Sequence, residues 1–472
     1  MQSVYMQQML HQNHHSIHQP LFMKKVLPFL CLVLFVAGCR QEFLSENDLP
    51  NRPAYTYSGQ KVRNYFTLLC KISKTTPGFF PPQVARAYGY VGIANFEAVV
   101  HGIPGAQSLA GNLNGLSIND MPKTVPNAEY DWNIASNAAL ADIIRKMFET
   151  KITAANLSVL DSTERANLAE MSLAVRPEIV SRSVQFGKDV AKAIYQYSIA
   201  DGGHRSYIDP FQLPYSMPPD PSCWIPTGAI TTPIAPKWGE NRPFIQVNIS
   251  TTQNFTPLAF STSTSSTFYK EAKDVYNQVR SNTPEQIEIT KYWADDPFNT
   301  CTPTGHTFNI MTQLLEETKA TLEKTSVAYA KLAIAESDAF VACWKSKYKY
   351  ILIRPVSYIK QNIDPSFNTV IGTPPFPAFT SGHSAEIAAG SKIFIDMFTN
   401  GSGNYNFTDY SQLQFGFAAR SYTNFNAMAE ECADSRFYGG IHYKMDNDKG
   451  LDQGRIIGDN VNSMRNFPKN LR

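Results

Sequence analysis

The sequence predicts an all-α protein, on three observations. Apolar residues recur at three- and four-residue intervals through much of the chain, as one buried helical face requires. Alternating apolar and polar runs, the mark of half-buried strands, are few. From Thr307 to Arg354 there is neither glycine nor proline, a stretch that suits two successive helices better than one of average length.

Taken in order, the chain opens on a targeting segment, residues 1–38. Lys24 and Lys25 precede an apolar run from Val26 to Gly38, too short to span a bilayer and shaped like a secretory signal. Val36-Ala37-Gly38-Cys39 resembles the bacterial lipobox, which implies cleavage before Cys39 and lipidation of its thiol; an ordinary signal peptide that contains a cysteine is the alternative. Residues ahead of Met23 fit neither pattern, so Met23 is a second candidate start, and His11, His14, His15 and His18 are expected to be absent from the mature protein. Residues 39–56, polar with Pro50 and Pro53, read as a tether. The expectation is an exported protein, lipid-anchored in a bacterial cell envelope.

An N-terminal helical domain is expected over 57–300. Val84, Ala87, Tyr88, Val91 and Ala94 share one helical face after Pro81 and Pro82, and close helix packing accounts for Gly89 and Gly92 inside that run. Ala135 to Thr150 and Ala166 to Ile199 show the same spacing, the latter divided by Pro177. Residues 201–267 are rich in Pro, Gly, Ser and Thr, yet carry Tyr207, Phe211, Tyr215, Trp224, Trp238 and Phe244. Those aromatics argue for order, either over the mouth of a site or as a packed excursion. A helical run from Thr267 leads to Tyr292-Trp-Ala-Asp-Asp-Pro297, and residues 301–472 form the C-terminal domain.

Composition bounds the function. With 472 residues, 43% of them hydrophobic, a full core is feasible, and a net charge of +2 gives no global field for nucleic acid. Any anion site must be built from a few local cations. Outside the leader, Cys70, Cys223, Cys301, Cys343 and Cys432 have no zinc or redox spacing, and their odd number leaves at least one free thiol or an intermolecular bond.

Three blocks in the last quarter carry chemistry. In the first, Lys347 and Arg354 stand seven apart, nearly two turns, on one helical stripe that Pro355 is expected to stop. Such a pair holds a dianion or is simply a solvated face. In the second, Pro374, Pro375 and Pro377 keep the chain extended before Thr380-Ser381-Gly382-His383 opens a helix. Thr380 or Ser381 serves as N-cap, the free amides and Gly382 admit an anion closely, and His383 in the first turn can move a proton. The bland reading is a capped helix with an exposed histidine. In the third, a helical run from about Ala418 ends at Arg436, Gly439 and Gly440 break it, and Asp446 lies one turn beyond His442. A carboxylate on one ring nitrogen fixes the tautomer and makes the other nitrogen a better ligand or nucleophile.

Together these blocks supply three cations, a hydroxyl, a glycine amide and two imidazoles, an inventory for one tetrahedral oxyanion. The pattern Lys-x6-Arg-Pro, Ser-Gly-His, Ser-Arg-x5-His-x3-Asp over about 344–446 resembles the type 2 phosphatidic acid phosphatase and vanadium haloperoxidase superfamily. Thr380 departs from the family's usual proline but supplies no ligand group. The resemblance implies two packed helical bundles with the oxyanion site in the C-terminal one. By it, Lys347, Arg354, Ser381, Gly382 and Arg436 hold the oxygens of vanadate, or of phosphate in the same site. His442 is the axial metal ligand, or the attacking group in a phosphatase. His383 is the acid–base and Asp446 orients His442. Trp344, one turn before Lys347, and Phe376, in a segment similar to that beside the halide site of fungal-type chloroperoxidases, favour the haloperoxidase branch; plain aromatic packing is the alternative for both. Asp296 matches the family's carboxylate that braces the third-block arginine. The expected partners are therefore hydrogen peroxide and halide. A small phosphoester is the alternative, for an exported phosphatase working through a phosphohistidine. A non-enzymatic ligand-binding lipoprotein is more remote, since it has no need of two positioned imidazoles.

Overall fold

The computed structural model describes residues 51–228, 230–399 and 401–471; the signal segment and Cys39 lie outside the described residues. Helices begin where the sequence offers caps. The first group is α1 (Gln60–Thr75), α2 (Pro81–Val99), α3 (Trp132–Phe148), α4 (Ala154–Ser172) and α5 (Pro177–Ile199). Pro81 and Pro177 occupy first-turn positions, where a missing N–H costs nothing. The Asp131 carboxylate accepts from the Ile134 amide at 2.9 Å to start α3. Then come α6 (Gln246–Ser250), α7 (Thr267–Ser281), α8 (Pro284–Tyr292), α9 (Thr302–Glu317), α10 (Leu322–Tyr350), α11 (Pro355–Asn362) and α12 (Gly382–Phe398). A small antiparallel hairpin, β1 (Asn404–Asp409) and β2 (Arg420–Asn424), precedes α13 (Phe425–Tyr438) and α14 (Lys444–Asn462).

The two expected bundles share α10. On one side it packs against α2, which in turn meets α3, α5 and α9; on the other it meets α12 and α14. Its residues are buried nearly all round, as a helix with protein on every side must be. Close approach explains Gly92: a Cβ there would lie 2.6 Å from the Ala333 Cβ and 2.9 Å from the Tyr329 carbonyl. The same device, unread in the sequence, sets α14 on α12. Gly450, Gly454 and Gly458 recur every four residues, and Cβ atoms on them would come within 2.7, 2.1 and 2.8 Å of the carbonyls of Ser381, Ala385 and Ala389.

Two expectations are corrected. Pro355 does not stop α10; it starts α11. The chain leaves α10 at Tyr350 through Ile351 in the left-handed region (φ 49°), and Arg354 is the extended N-cap before the proline. Proline disfavours helical backbone in the residue before it but suits position N1. Lys347 and Arg354 are therefore not on one helical stripe. The run from Ala418 is not helical throughout either. Arg420–Asn424 pairs with Asn404–Asp409, and the helix begins only at Phe425, capped by Asn424. The glycine-free stretch does hold two successive helices, α9 and α10, with α9 beginning a little earlier, at Thr302.

Cys70 and Cys301 form a disulfide, which ties α1 to the start of α9; Cys223, Cys343 and Cys432 are free thiols. The irregular 201–267 stretch is ordered by backbone pairing with the site-bearing segments. The Trp224 amide donates to the Ile351 carbonyl at 2.7 Å, Ile353 to Ser222 at 2.8 Å, and Ile234 to Pro375 at 3.0 Å. Buried Trp224 and Trp238 anchor it. Among the described residues no helix is long and apolar enough to cross a membrane.

Candidate active site

The ends of α10, α12 and α14 meet the extended segments 351–354 and 374–381. Lys347, Arg354, Arg436, His442 and Asp446 are all at most 2% exposed. They share one neighbourhood: the charges of Arg354, Lys347 and Arg436 all act on His442.

Each cation is held differently. Lys347 Nζ donates to three carbonyls, Pro377 and Ala378 at 2.9 Å and Thr380 at 2.5 Å. Burial lowers its pKa, but three carbonyl acceptors are matched only by the ammonium, so it is charged as it sits. Its protons fix the extended second block rather than standing free. Arg354 donates through Nε to the Phe376 carbonyl at 2.9 Å and through Nη1 to the Ile441 carbonyl at 2.8 Å. Its Nη2 is buried with no protein partner. Burial holds its pKa down at about 10. Arg436 reaches His383 through Nη1 at 2.9 Å and the Thr290 carbonyl through Nη2 at 3.5 Å, and its Nε is likewise buried without a partner.

The imidazoles are neutral, and their tautomers follow from their neighbours. Arginine only donates, so His442 Nε2, 3.1 Å from Arg354 Nη1, accepts. Its Nδ1 proton then points to Asp446 Oδ2 at 3.0 Å. Burial, and then the Arg354 charge, hold His442 well below the usual histidine range. His383 Nε2 accepts from Arg436 by the same logic. Burial, then Arg436, depress its pKa too, against a hydrogen bond with the Ala294 backbone. Asp446 meets His442 across the N-terminus of α14, not along a turn: His442 precedes the helix, and Asp446 in its first turn also accepts from the Tyr443 amide at 3.1 Å. Burial raises the Asp446 pKa.

Ser381 caps α12, and its amide donates to the Asp446 carbonyl at 2.9 Å, which pins the second block to the third. The Gly382 and His383 amides lie in the first turn, where N–H groups lack intrahelical partners. A Cβ on Gly382 would meet nothing closer than Trp344 at 3.5 Å, an ordinary contact, so packing alone does not demand glycine there. Phe376 lies against Trp344 (centroids 4.9 Å), with the Lys347 and Arg354 head groups each 5.1 Å from its ring centre.

Above these groups opens a cavity of about 370 Å³ with His383 and Arg436 in its floor. Its walls are apolar: Phe80 from α2, Ile230 and Ile234 from the irregular stretch, Phe298, Ile371 and Phe376. The 201–267 stretch thus borders the mouth. Asp296 also lines the cavity and interacts electrostatically with Arg436, but shares no hydrogen bond with it.

Sequence reading missed the residues just behind. His306 lies between Asp295 (Nδ1–Oδ2 3.0 Å) and Asp409 (Nε2–Oδ2 2.8 Å), and Trp293 stacks on it at 4.6 Å. The only signal was the acidic pair Asp295-Asp296; nothing in the sequence links it to a hairpin more than a hundred residues on.

The arrangement fits a tetrahedral oxyanion on its own terms. Buried arginine N–H groups without partners, amides at a helix start and two neutral imidazoles converge, and among the described residues no carboxylate stands within ion-pair distance of Arg354 or Arg436. Comparison with known proteins shows the family. A family profile described as the VCPO second helical-bundle domain matches residues 327–468. A crystal structure described as the first bacterial vanadium-dependent iodoperoxidase is 30% identical, with TM-score 0.76, covering 86% of this chain and 96% of that one. A holo-type bacterial vanadium-dependent chloroperoxidase, 15% identical, shares the fold with TM-score 0.63 over 83% of this chain and 94% of that one. No curated protein matches.

Proposed function

The chain belongs to the vanadium haloperoxidase superfamily, and on that premise we propose that it is a vanadate-dependent enzyme that oxidises halide with hydrogen peroxide. The observation that carries this reading is the pair of buried, partnerless guanidinium nitrogens, Arg354 Nη2 and Arg436 Nε, beside two neutral imidazoles. Vanadate, when bound, supplies a Lewis-acidic centre that activates peroxide toward halide.

The chain's own groups do the rest. His442 would hold the vanadium through Nε2, the nitrogen that here accepts from Arg354, since Asp446 keeps the proton on Nδ1. Arg354, Arg436 and the Gly382 amide neutralise and orient the oxygens. Lys347 fixes the carbonyls of Pro377, Ala378 and Thr380, and so shapes the segment that ends in Ser381. Ser381 joins the two halves of the cradle. His383, neutral, would take a proton from incoming peroxide at Nε2, in exchange for the Arg436 N–H that this nitrogen accepts, and return it to the leaving oxygen. The apolar walls around Phe376 exclude water from the halide's approach and strengthen the field of the arginines.

Iodide is the halide to test first, because the 30%-identical relative is an iodoperoxidase. The test is peroxide- and iodide-dependent oxidation of a dye by the apoprotein, restored by vanadate and blocked by phosphate. A neutral, carboxylate-oriented His442 also suits a phosphohistidine, so aryl phosphate hydrolysis without halide turnover would move the assignment to the phosphatase branch. We further propose export and lipid anchoring through Cys39; the Cys70–Cys301 disulfide supports an oxidising compartment. Mass spectrometry of a membrane fraction for a diacylglyceryl-modified N-terminal cysteine checks it.

A further inference from the structure

Behind the cavity floor lies a buried charge cluster with no part in the chemistry above. His306 is 2% exposed, and both its ring nitrogens face carboxylates, Asp295 at 3.0 Å and Asp409 at 2.8 Å. An ionised carboxylate only accepts. Asp409 Oδ2 also accepts from the Tyr292 hydroxyl at 2.6 Å, and its Oδ1 from the Ser411 amide at 2.8 Å, so Asp409 is ionised. The Gln412 side-chain amide lies 2.8 Å from Nδ1. Its Nε2 donates to Asp295 Oδ1 at 2.7 Å, so Asp295 accepts through one oxygen from Gln412 and offers the other to the ring. Both ring nitrogens then donate, and the imidazole carries a proton on each.

What this cation holds is the turn Trp293–Asp296. Trp293 stacks on its ring, and Asp295, in the left-handed region (φ 47°), is its ion-pair partner. Asp295 and Asp296 both act on Arg436, and the Ala294 backbone bonds His383. Glu386 of α12 also feels the His306 charge and stands one turn beyond His383. The turn therefore touches both cavity-floor groups, and His306, with Gln412 beside it, ties it to the hairpin.

We infer that His306 is a positioning residue: a protonated cross-link between Asp295 and Asp409 that holds the Trp293–Asp296 turn against Arg436 and His383, so that oxyanion affinity falls when the charge is removed. The inference rests on reading the site as an oxyanion site. The test uses the full folded chain, orthophosphate as probe in calorimetry, and ¹⁵N-histidine NMR. Wild type shows one imidazolium signal that persists at pH 8 and is absent from His306→Gln. His306→Gln loses about tenfold or more in phosphate affinity, whereas His306→Lys, which keeps a cation, retains most of it. A space-filling role predicts the reverse order, with glutamine tolerated and lysine not, and that result overturns the proposal. Should His306→Gln not fold, His306→Gln/Asp409→Asn removes a carboxylate with its partner; wild-type phosphate affinity in that variant also overturns it. A wild type that binds phosphate but lacks the imidazolium signal defeats this inference alone. A wild type that binds no phosphate defeats the reading of the site, and this inference with it.

Discussion

Two buried arginines, one in each bundle, are held in opposite ways. Arg86 on α2 has a carboxylate. Its Nε lies 2.6 Å from Asp201 Oδ2 and its Nη2 donates to the Ser198 carbonyl at 2.7 Å. Burial would lower its pKa, but Asp201 outweighs that and raises it. Arg354 has only carbonyls, an imidazole and one nitrogen without a partner, and burial lowers its pKa. A buried cation with no anion in contact is expensive, and the oxyanion proposed for this site would offset that cost. The first arginine closes a corner of the fold; the second is the one proposed to hold an oxyanion.

The largest expected effects lie around the second arginine. His442→Ala should abolish vanadate retention, measured by metal analysis after loading. His383→Ala should keep the oxyanion but slow halide oxidation by about 10²–10⁴-fold. Equal loss of binding in both would erase the division of labour between the imidazoles. Next comes the direct comparison. Arg86→Met strands a buried carboxylate and should cost about 3–5 kcal/mol of stability, with phosphate affinity unchanged. Arg354→Met removes an uncompensated charge and should leave the apoprotein as stable as before or more so, while the rise in melting temperature on adding vanadate disappears. Thermal denaturation with and without vanadate reads both, and similar apoprotein losses would collapse the contrast.

Smaller effects sharpen it. Gly454→Ala would place a Cβ 2.1 Å from the Ala385 carbonyl and force α14 off α12, at about 1–3 kcal/mol, seen as a lower melting temperature and weaker phosphate binding together. The smallest concerns the acid counterpart of Arg354. Burial, first among its causes, pushes Glu386 up to about 7 beside Glu336. A carboxyl raised in the folded state stabilises below its unfolded pKa, and that contribution is lost as pH rises through 7. Glu386→Gln cannot ionise, so its stability should fall less than wild type between pH 5 and 8, by roughly 1 kcal/mol. His442 and His383 act in the opposite sense. Below about 6.5 the unfolded imidazoles take up protons that the folded ones refuse, so stability is lost there as pH falls.

What the sequence disclosed tracks the range of each interaction. Helix periodicity, the caps at Pro81, Pro177 and Ser381, and the His442–Asp446 pair are local, and all were legible. The chain's turn at Ile351–Arg354 was not, because a proline's effect on the residue before it and its fitness for position N1 give opposite readings of one dipeptide. The hairpin was hidden by the brevity of Arg-Ser-Tyr-Thr-Asn. Asp409 and His306 were invisible as partners because their pairing is tertiary. Lys347 was read as facing an anion, and its protons serve carbonyls 30 to 33 residues away instead.

The row of Gly450, Gly454 and Gly458 has a consequence beyond packing. The head of α12 carries Ser381 to His383, and the head of α14 carries Asp446, so the gauge of the hollow is set by how nearly two backbones touch. A methyl group inserted anywhere along that seam would act as a shim. It would widen the cradle from a surface that meets no substrate, which makes the outer helix a dial for admitting a bulkier oxyanion such as tungstate.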